Sequence, residues 1–361
     1  MIKANNSIRQ WEQIKDSIIL GLEKIHTTEK IFNAEFTMLL EDKLKSVSKR
    51  KHALTCMSGS HAISMSLLAH GIGPGDKVIV PNYSCPATLS SVTIIGCEPV
   101  FCEINQYGSM CADSLLDLAK SDAKAILATG LYGDVHDHQP VKDFCDKQNI
   151  LYINDAAQSQ FALYNGINSL ELGDVVCMSF ADNKPLPVVG TYGAVLTDDD
   201  DIANNIRILR KNGKPSRLHA YSKPGFNSEP EEEKALQVLS SWKHFDQWQN
   251  RRKQITEYYD QQFAGKIQTR PRPAYSHWNY HKYAIMVPDK FKMYNILLEK
   301  GIETNRHYVD NFSELPWTPK ADRVFDMTNK FIKSSLTIPS NPFMTDDEVD
   351  TVVKTILSIN D

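Results

Sequence analysis

No stretch of this chain is long, apolar and uncharged enough to read as a membrane span. Its first residues, MIKANNSIRQWEQIKDS, also lack the apolar run that forms the core of a signal peptide. A soluble, cytoplasmic chain is therefore expected. Cysteine is sparse and scattered. The 7 cysteines are an odd number without any Cys-x-x-Cys pair, so neither a disulfide framework nor a zinc site is supported, and most should be small core residues. A basic excess is missing too. Lys and Arg total 40 against 44 Asp and Glu, which leaves a formal charge of -4 and no electrostatic case for nucleic acid. There is no repeated unit and no glycine- or serine-rich linker. Asp134-Val135-His136-Asp137-His138 is the one stretch that imitates a metal cluster, but a short histidine pair without further ligands is poor evidence for one. The expectation there is Asp137 capping a helix that begins near Pro140, with the histidines in a solvated loop.

With 361 residues, 42% of them hydrophobic, the chain can build a sizeable two-lobed enzyme. Ile8, Trp11, Ile14, Ile18, Leu22 and Ile25 recur at three- and four-residue spacing, so residues 7 to 25 should form an amphipathic helix, and a second should span Ile31 to Leu44. From His52 onward short apolar runs alternate with helical stretches: HALTCM, KVIVP, PVFCEI, AKAILAT and ILYIN are separated by helices near 60–70, 86–95, 112–120 and 140–148. This βα alternation predicts a mainly parallel sheet with helices on both faces. DDDDIANNIRILRKNG reads as a capped helix, and GFNSEPEEEKAL opens a long one through Trp242, Phe245, Trp248 and Tyr258. Beyond about residue 250 strand and helix mix: YHKYAIMV, a helix at 289–300, a strand near 332–338 and a last helix at 345–358. The expected division is a large α/β domain over 1–249 and a small α+β domain over 250–361.

Two glycine-bearing turns need opposite readings. Gly71-Ile72-Gly73-Pro74-Gly75 follows a helix and precedes a strand, which is backwards for a phosphate loop, so it reads as a helix C-cap and turn. Ser58-Gly59-Ser60-His61 lies between a strand and a helix, where free amides and the Ser60 hydroxyl can meet a phosphate. The residues alone leave a plain N-cap at Ser60 equally open.

The chain is organised around residues 150–195. Asp155 stands at the end of one buried run, and the run Val175 to Phe180 exits through ADN to Lys184. Strands of a parallel sheet direct their carboxyl ends toward one crevice, so this carboxylate and amine can face a shared cavity. That pair suits pyridoxal 5'-phosphate (PLP): the lysine forms a Schiff base with the aldehyde, and the aspartate keeps the pyridine nitrogen protonated.

NDAAQS, then GD, then SF with Lys184 five residues past Ser179, resembles the DegT-type (DegT/DnrJ/StrS) family of fold-type I, PLP-dependent aminotransferases, most of which act on keto-sugar nucleotides. The resemblance extends to MSGSHAISMSLLAHGIGPGDKVIVPNYS, GFNS and TIPSNPFMTDDEV, and so to nearly the whole chain. It implies amino transfer from an amino acid, with glutamate expected, to a keto-sugar expected to be nucleotide-linked, in amino-sugar or surface-polysaccharide synthesis. It implies Asp155 at the pyridine nitrogen, Gln158 near the phenolic oxygen, and Ser60, His61 and Ser179 on the phosphate. Asn227 matches an asparagine that reaches the phosphate from a neighbouring subunit, so a homodimer with shared sites is expected; the residues alone allow a plain turn. The candidate substrate side comprises Cys85, Arg217, His219 and Tyr308, with Lys214 and Lys223 in the same loop as Arg217 and His219. Three departures touch that side: Cys85 replaces a ring-stacking aromatic, Glu229 stands where arginine is common, and PLPVVGTYG is longer and more apolar than the usual loop after the lysine. Other readings are the same fold acting on a non-nucleotide keto compound or doing different PLP chemistry, and a non-catalytic sensor. Neither metal nor nucleic acid is expected.

Overall fold

The computed structural model describes residues 1–27, 34–216 and 220–360. Seven strands form one sheet in the spatial order His52–Cys56, Gly193–Thr197, Val175–Ser179, Leu151–Asp155, Ala125–Thr129, Lys77–Pro81, Glu98–Cys102. Gly193–Thr197 runs antiparallel to both neighbours, and the other pairings are parallel. The strands are buried on both faces, which is why they read as continuous apolar runs. Their period of two still sorts the side chains. Val175, Cys177 and Val195 enter a core with Ile63 and Leu67 of the helix Gly59–Ala69 and Ile206 of the helix Asp200–Leu209. Val176, Met178, Ala194 and Leu196 face the other way, onto Leu40 and Leu44 of the helix Glu35–Ser48 and Val238 of the helix Glu232–Trp242. Each such fully buried Leu, Ile or Val contributes roughly 1.5–3 kcal/mol, so these two cores hold the sheet ends in fixed relation.

The C-terminal part forms its own core. Tyr283–Met286 pairs antiparallel with Ser335–Ile338. Tyr259, Phe263, Leu297 and Val352 pack around that pair from the helices Phe245–Phe263, Lys290–Glu299 and Asp346–Asn360. The chain start joins this part, since Ile2 bridges Ile302 and its amide donates to the Gly301 carbonyl at 2.7 Å. The helix Ser7–Thr27 then lays Ile14 and Ile18 against Leu236 and Trp248.

Several expectations shift for identifiable reasons. The second helix is Glu35–Ser48, displaced toward the C-terminus from 31–44, and residues 31–33 of that expectation lie outside the described residues. The long helix after GFNS is two, Glu232–Trp242 and Phe245–Phe263, because the chain turns at Lys243 and His244 to carry Trp242 and Phe245 onto Phe161. The strand expected near 332–338 is a helix to Ser334, with Thr328 and Phe331 buried three residues apart, and only Ser335–Ile338 is extended. The histidine stretch is corrected most. His136 is 0% and His138 9% exposed, and both rings bond the Tyr152 hydroxyl, His138 through Nδ1 at 2.9 Å. Burial pushes the His136 pKa down to about 3, so a neutral imidazole shares a phenol instead of standing in solvent. The helix there begins at His138, and Asp137, at its N-cap position, accepts from the Tyr164 hydroxyl at 2.9 Å without capping an amide.

The glycine turn, the Asp199 cap and the buried cysteines are as the sequence implies. Gly71 and Gly75 carry φ of 74° and 85°, and the Ile72 amide returns to the Leu67 carbonyl at 3.0 Å, as a helix C-cap requires. Asp199 caps its helix through Oδ1, which accepts from the Asp201 and Ile202 amides at 2.8 and 3.0 Å. Cys56, Cys97, Cys102, Cys145 and Cys177 are buried free thiols. Among the described residues no helix is long and apolar enough to cross a membrane, and no group of three or more His, Cys, Asp or Glu is placed to hold a metal.

Candidate active site

Adjacent strands deliver Asp155 and Lys184 to one edge of the sheet. Leu151–Asp155 and Val175–Ser179 pair in parallel, with Asp155 opposite Cys177, so both carboxyl ends open on the same edge of the sheet. After Ser179 the chain is pinned at Phe180, whose amide donates to the Tyr192 carbonyl and whose carbonyl accepts from the Val188 amide, both at 2.8 Å. The intervening turn carries Lys184, its amide on the Ala181 carbonyl at 2.9 Å, and leaves the side chain half-buried. Leu186 and Val188 sink into the core below, which anchors the apolar loop PLPVV.

Asp155 is 5% exposed. Its Oδ1 accepts from the Ala157 amide at 3.1 Å and its Oδ2 from the Thr88 hydroxyl at 3.3 Å, and among the described residues it forms no ion pair. Burial pushes its pKa up, opposed by the Ala157 amide, the charge of Lys184 and the Thr88 hydroxyl. A desolvated carboxylate so placed is one cationic N–H short of compensation.

The helix Gly59–Ala69 begins beside the same edge. Its N-cap is Ser58, not Ser60: the Ser58 hydroxyl accepts from the His61 amide at 3.1 Å in the extended conformation of a cap. The Ser60 hydroxyl is thereby freed from the N-cap role that the sequence left open. Gly59 lies against the end of the neighbouring strand, where an added Cβ would fall 2.8 Å from Ser179 Cβ, so Ser60, His61 and Ser179 are brought to one place by a contact only glycine permits. The His61 ring packs on Phe226 and bonds the Ser228 hydroxyl through Nδ1 at 2.9 Å; the same hydroxyl accepts from the Met57 amide at 3.1 Å. Thus Ser228 ties GFNS to its own chain, while Asn227, which bridges Lys211, stays exposed. Glu229 meets Lys211 at 3.7 Å on the surface.

Gln158 is held at both ends. Its Oε1 accepts from the Tyr132 amide at 3.0 Å, and its Nε2 donates to the Tyr308 hydroxyl at 2.7 Å. Tyr308 is fixed in turn, its amide donating to the Tyr83 hydroxyl and its carbonyl accepting from Lys290 Nζ, both at 2.7 Å. Burial raises the Tyr308 pKa well above the ordinary phenol value, and the charges of Cys85 and Asp155 act in the same direction. Cys85, half-buried at the N-cap position of the helix Pro86–Thr93, is near enough to Tyr308 to act on its phenol. Lys223 is engaged with Asn205 Oδ1 at 2.9 Å, and Lys214 stands over the Tyr221 ring. Arg217 and His219 lie outside the described residues.

The sequence reading missed Thr88, Tyr83 and Tyr132, which position Asp155, Tyr308 and Gln158. It also missed Arg252, His281 and Lys282, which line a cleft on the C-terminal side of Lys184. In the sequence, YHKYAIMV announces only its strand. The signal is two basic residues directly before an apolar run, at the start of the strand Tyr283–Met286.

Together the residues fit PLP. A buried carboxylate lacking a cationic partner suits a pyridinium N–H, a lysine stands at the next strand exit, and a helix N-terminus with serine hydroxyls suits a phosphate. Comparison with known proteins agrees. The profile of the DegT/DnrJ/EryC1/StrS aminotransferase family matches residues 12–357. A "pleiotropic regulatory protein" of Geobacillus stearothermophilus is 30% identical over 83% of this chain and 82% of its own. A UDP-2-acetamido-2-deoxy-3-oxo-D-glucuronate aminotransferase of Pseudomonas aeruginosa is 28% identical over 95% of this chain and 96% of its own. A crystal structure of a DegT/DnrJ/EryC1/StrS aminotransferase from Brucella abortus superposes with a TM-score of 0.93 at 22% identity, covering 100% of both chains.

Proposed function

Since the chain belongs to the DegT/DnrJ/EryC1/StrS family of PLP-dependent aminotransferases, we propose that it moves an amino group from glutamate to a nucleotide-linked keto-sugar, with Lys184 as the residue that binds the cofactor and carries the proton. The observation that supports this most is Asp155, a buried carboxylate without a cationic partner, at the edge of the sheet where Lys184 emerges. The relative from Pseudomonas aeruginosa, named for a UDP-linked 3-oxo sugar, supports the acceptor class.

When bound, PLP supplies an electron sink for the carbanion formed at the donor's Cα. In this reading Asp155 keeps the ring nitrogen protonated, and Thr88 and the Ala157 amide hold the carboxylate in line. Ser60, His61 and Ser179 take the phosphate with the first-turn amides of their helix. Gln158, held by Tyr132 and Tyr308, would have one Nε2–H left to donate to the phenolic oxygen. Lys184 takes a proton from the donor's Cα and later delivers one to the acceptor carbon from a single face, which sets the configuration of the amine. A lysine suits both steps because its amine is at once nucleophile and base, which a guanidinium is not. Cys85 and Tyr308 border the acceptor, and Arg217 and His219 take its anionic groups. Asn227, exposed, serves the phosphate of a second copy in a homodimer. Residues 1–249 form the cofactor-binding domain and 250–361 the small one, and the enzyme is cytoplasmic.

The test is to add glutamate to the yellow holoenzyme and follow loss of the cofactor's absorbance with release of 2-oxoglutarate, then to restore the absorbance with a panel of keto-sugar nucleotides. Restoration by free keto acids and none of the nucleotides would contradict the acceptor assignment. The relative named as a regulatory protein favours a second reading, a non-catalytic sensor. Absence of any turnover with cofactor bound would support that one.

A further inference from the structure

The cleft beyond Lys184 concentrates positive charge. Lys184, Arg252, His281 and Lys282 line it, and the one acidic side chain among the described lining residues is Asp182, which is exposed. Lys282 is 8% exposed and Arg252 5%. Neither meets a carboxylate within 4.0 Å among the described residues; Arg252 donates to Gln249 Oε1 at 2.7 Å. His281 Nε2 is buried without a hydrogen-bond partner. The backbone places these groups firmly. The Lys282 amide donates to the Tyr132 carbonyl at 3.0 Å, and the His281 amide to Asn279 Oδ1 at 3.0 Å, immediately before the strand Tyr283–Met286.

A buried ammonium without a counter-ion is expensive, and removing the amine's proton is the usual relief. Burial, Lys184 and Arg252 bring the Lys282 pKa down to about 7, with Asp182 and Cys85 opposing. Methionine or leucine would fill the same space without that cost, so the lysine earns its place only if something anionic arrives. The donor's Cα must come to the Lys184 amine, which puts the rest of a small substrate within reach of the neighbouring cations. In the proposed reading the cofactor's phosphate is taken by the start of the helix Gly59–Ala69, and none of residues 58–61 lines this cleft.

We propose that Lys282, backed by Arg252, is a substrate-binding residue that anchors a carboxylate of the reacting molecule. This rests on the aminotransferase reading for the identity of that molecule. The carboxylate belongs either to the side chain of a dicarboxylic donor or to an acceptor sugar bearing a carboxyl group; the recognition chemistry is the same.

The experiment is calorimetric titration of the holoenzyme with glutarate, UDP-glucuronate and UDP-glucose, for the wild type, Lys282→Met and Lys282→Arg. A charge-assisted contact predicts that Lys282→Met weakens a carboxylate probe about 10- to 100-fold while leaving UDP-glucose unchanged. Lys282→Arg should keep most of the affinity, and an unaltered cofactor absorbance shows that both variants fold. Weakening confined to glutarate assigns the anchor to the donor; weakening confined to UDP-glucuronate assigns it to the sugar. Glutarate and UDP-glucuronate binding unchanged within twofold in Lys282→Met, or neither probe binding the wild type, overturns the proposal. A wild type that binds glutarate through Lys282 yet transfers no amino group would sink the aminotransferase assignment and leave the carboxylate site standing.

Discussion

Replacing Asp155 with asparagine separates chemistry from folding more cleanly than any other change at this site. Asparagine keeps the shape and can still accept from the Ala157 amide or the Thr88 hydroxyl, now at 3.1 and 3.3 Å from the carboxylate. It removes a charge whose desolvation already raises the pKa of the group, so the apo protein loses little and its melting temperature should hold within a few degrees. The loss falls on the cofactor. An opposite charge in contact shifts a partner's pKa by about 1–3 units, each unit being about 1.4 kcal/mol, so the ring nitrogen would be protonated about 10- to 1000-fold less of the time. Turnover should fall by the same factor, because electron withdrawal is needed when the Cα proton leaves, whereas KM for glutamate should change little. Steady-state kinetics with glutamate, run beside thermal melts of the apo and cofactor-loaded forms, provides the assay. Asp155→Asn turning over at the wild-type rate, or losing activity only in step with unfolding, would refute the role given to the carboxylate.

Other predictions follow from single contacts. Gly59→Ala places a Cβ 2.8 Å from Ser179 Cβ, so cofactor affinity should drop at least tenfold in an equilibrium dialysis while the fold persists; unchanged affinity would detach the Ser60–Ser179 edge from the phosphate. Mixing the inactive variants Lys184→Ala and Asn227→Asp should restore part of the activity, since a hybrid dimer holds one site with both residues intact; confirmed subunit exchange without recovery would confine Asn227 to its own chain. Lys282 gives a pH signature. Its folded pKa of about 7 lies below the unfolded value near 10.5, so from pH 7 to 10.5 the unfolded chain holds more protons and stability rises with pH. Apo Lys282→Met should therefore be more stable than the wild type below pH 7, by up to a few kcal/mol, with the gap closing as pH approaches 10.5; denaturant melts at both ends of that range would show it.

The order of apolar runs made the sheet legible, because strands buried on both faces leave unbroken stretches such as AILAT and VVCMS. Asp155 and Lys184 are legible for the same reason: each lies within a few residues of the end of such a run. What stayed hidden depends on contacts across the chain. The Ser58 hydroxyl takes the cap, and it is the approach of Gly59 to Ser179, 120 residues on, that brings the Ser60 hydroxyl to the end of the neighbouring strand. Thr88 reaches Asp155 across 67 residues, and Tyr83 reaches Tyr308 across 225. The pair His136 and His138 looked solvated because nothing local marks Tyr152, on a strand 14 to 16 residues away, as their shared partner. Lys282 was overlooked because a lysine beside a strand is ordinarily a surface residue, and its burial arises from the fold of the C-terminal part against Tyr132.

The central claim is that Lys184, among several lysines of altered or crowded surroundings, is the one joined to the cofactor. Reduction of the yellow holoenzyme with borohydride, followed by proteolysis and mass spectrometry, tests it directly. The account predicts a single phosphopyridoxyl group on the peptide carrying Lys184 and none after Lys184→Ala. Label on Lys282, whose pKa of about 7 makes it the most plausible rival nucleophile in the cleft, would contradict it.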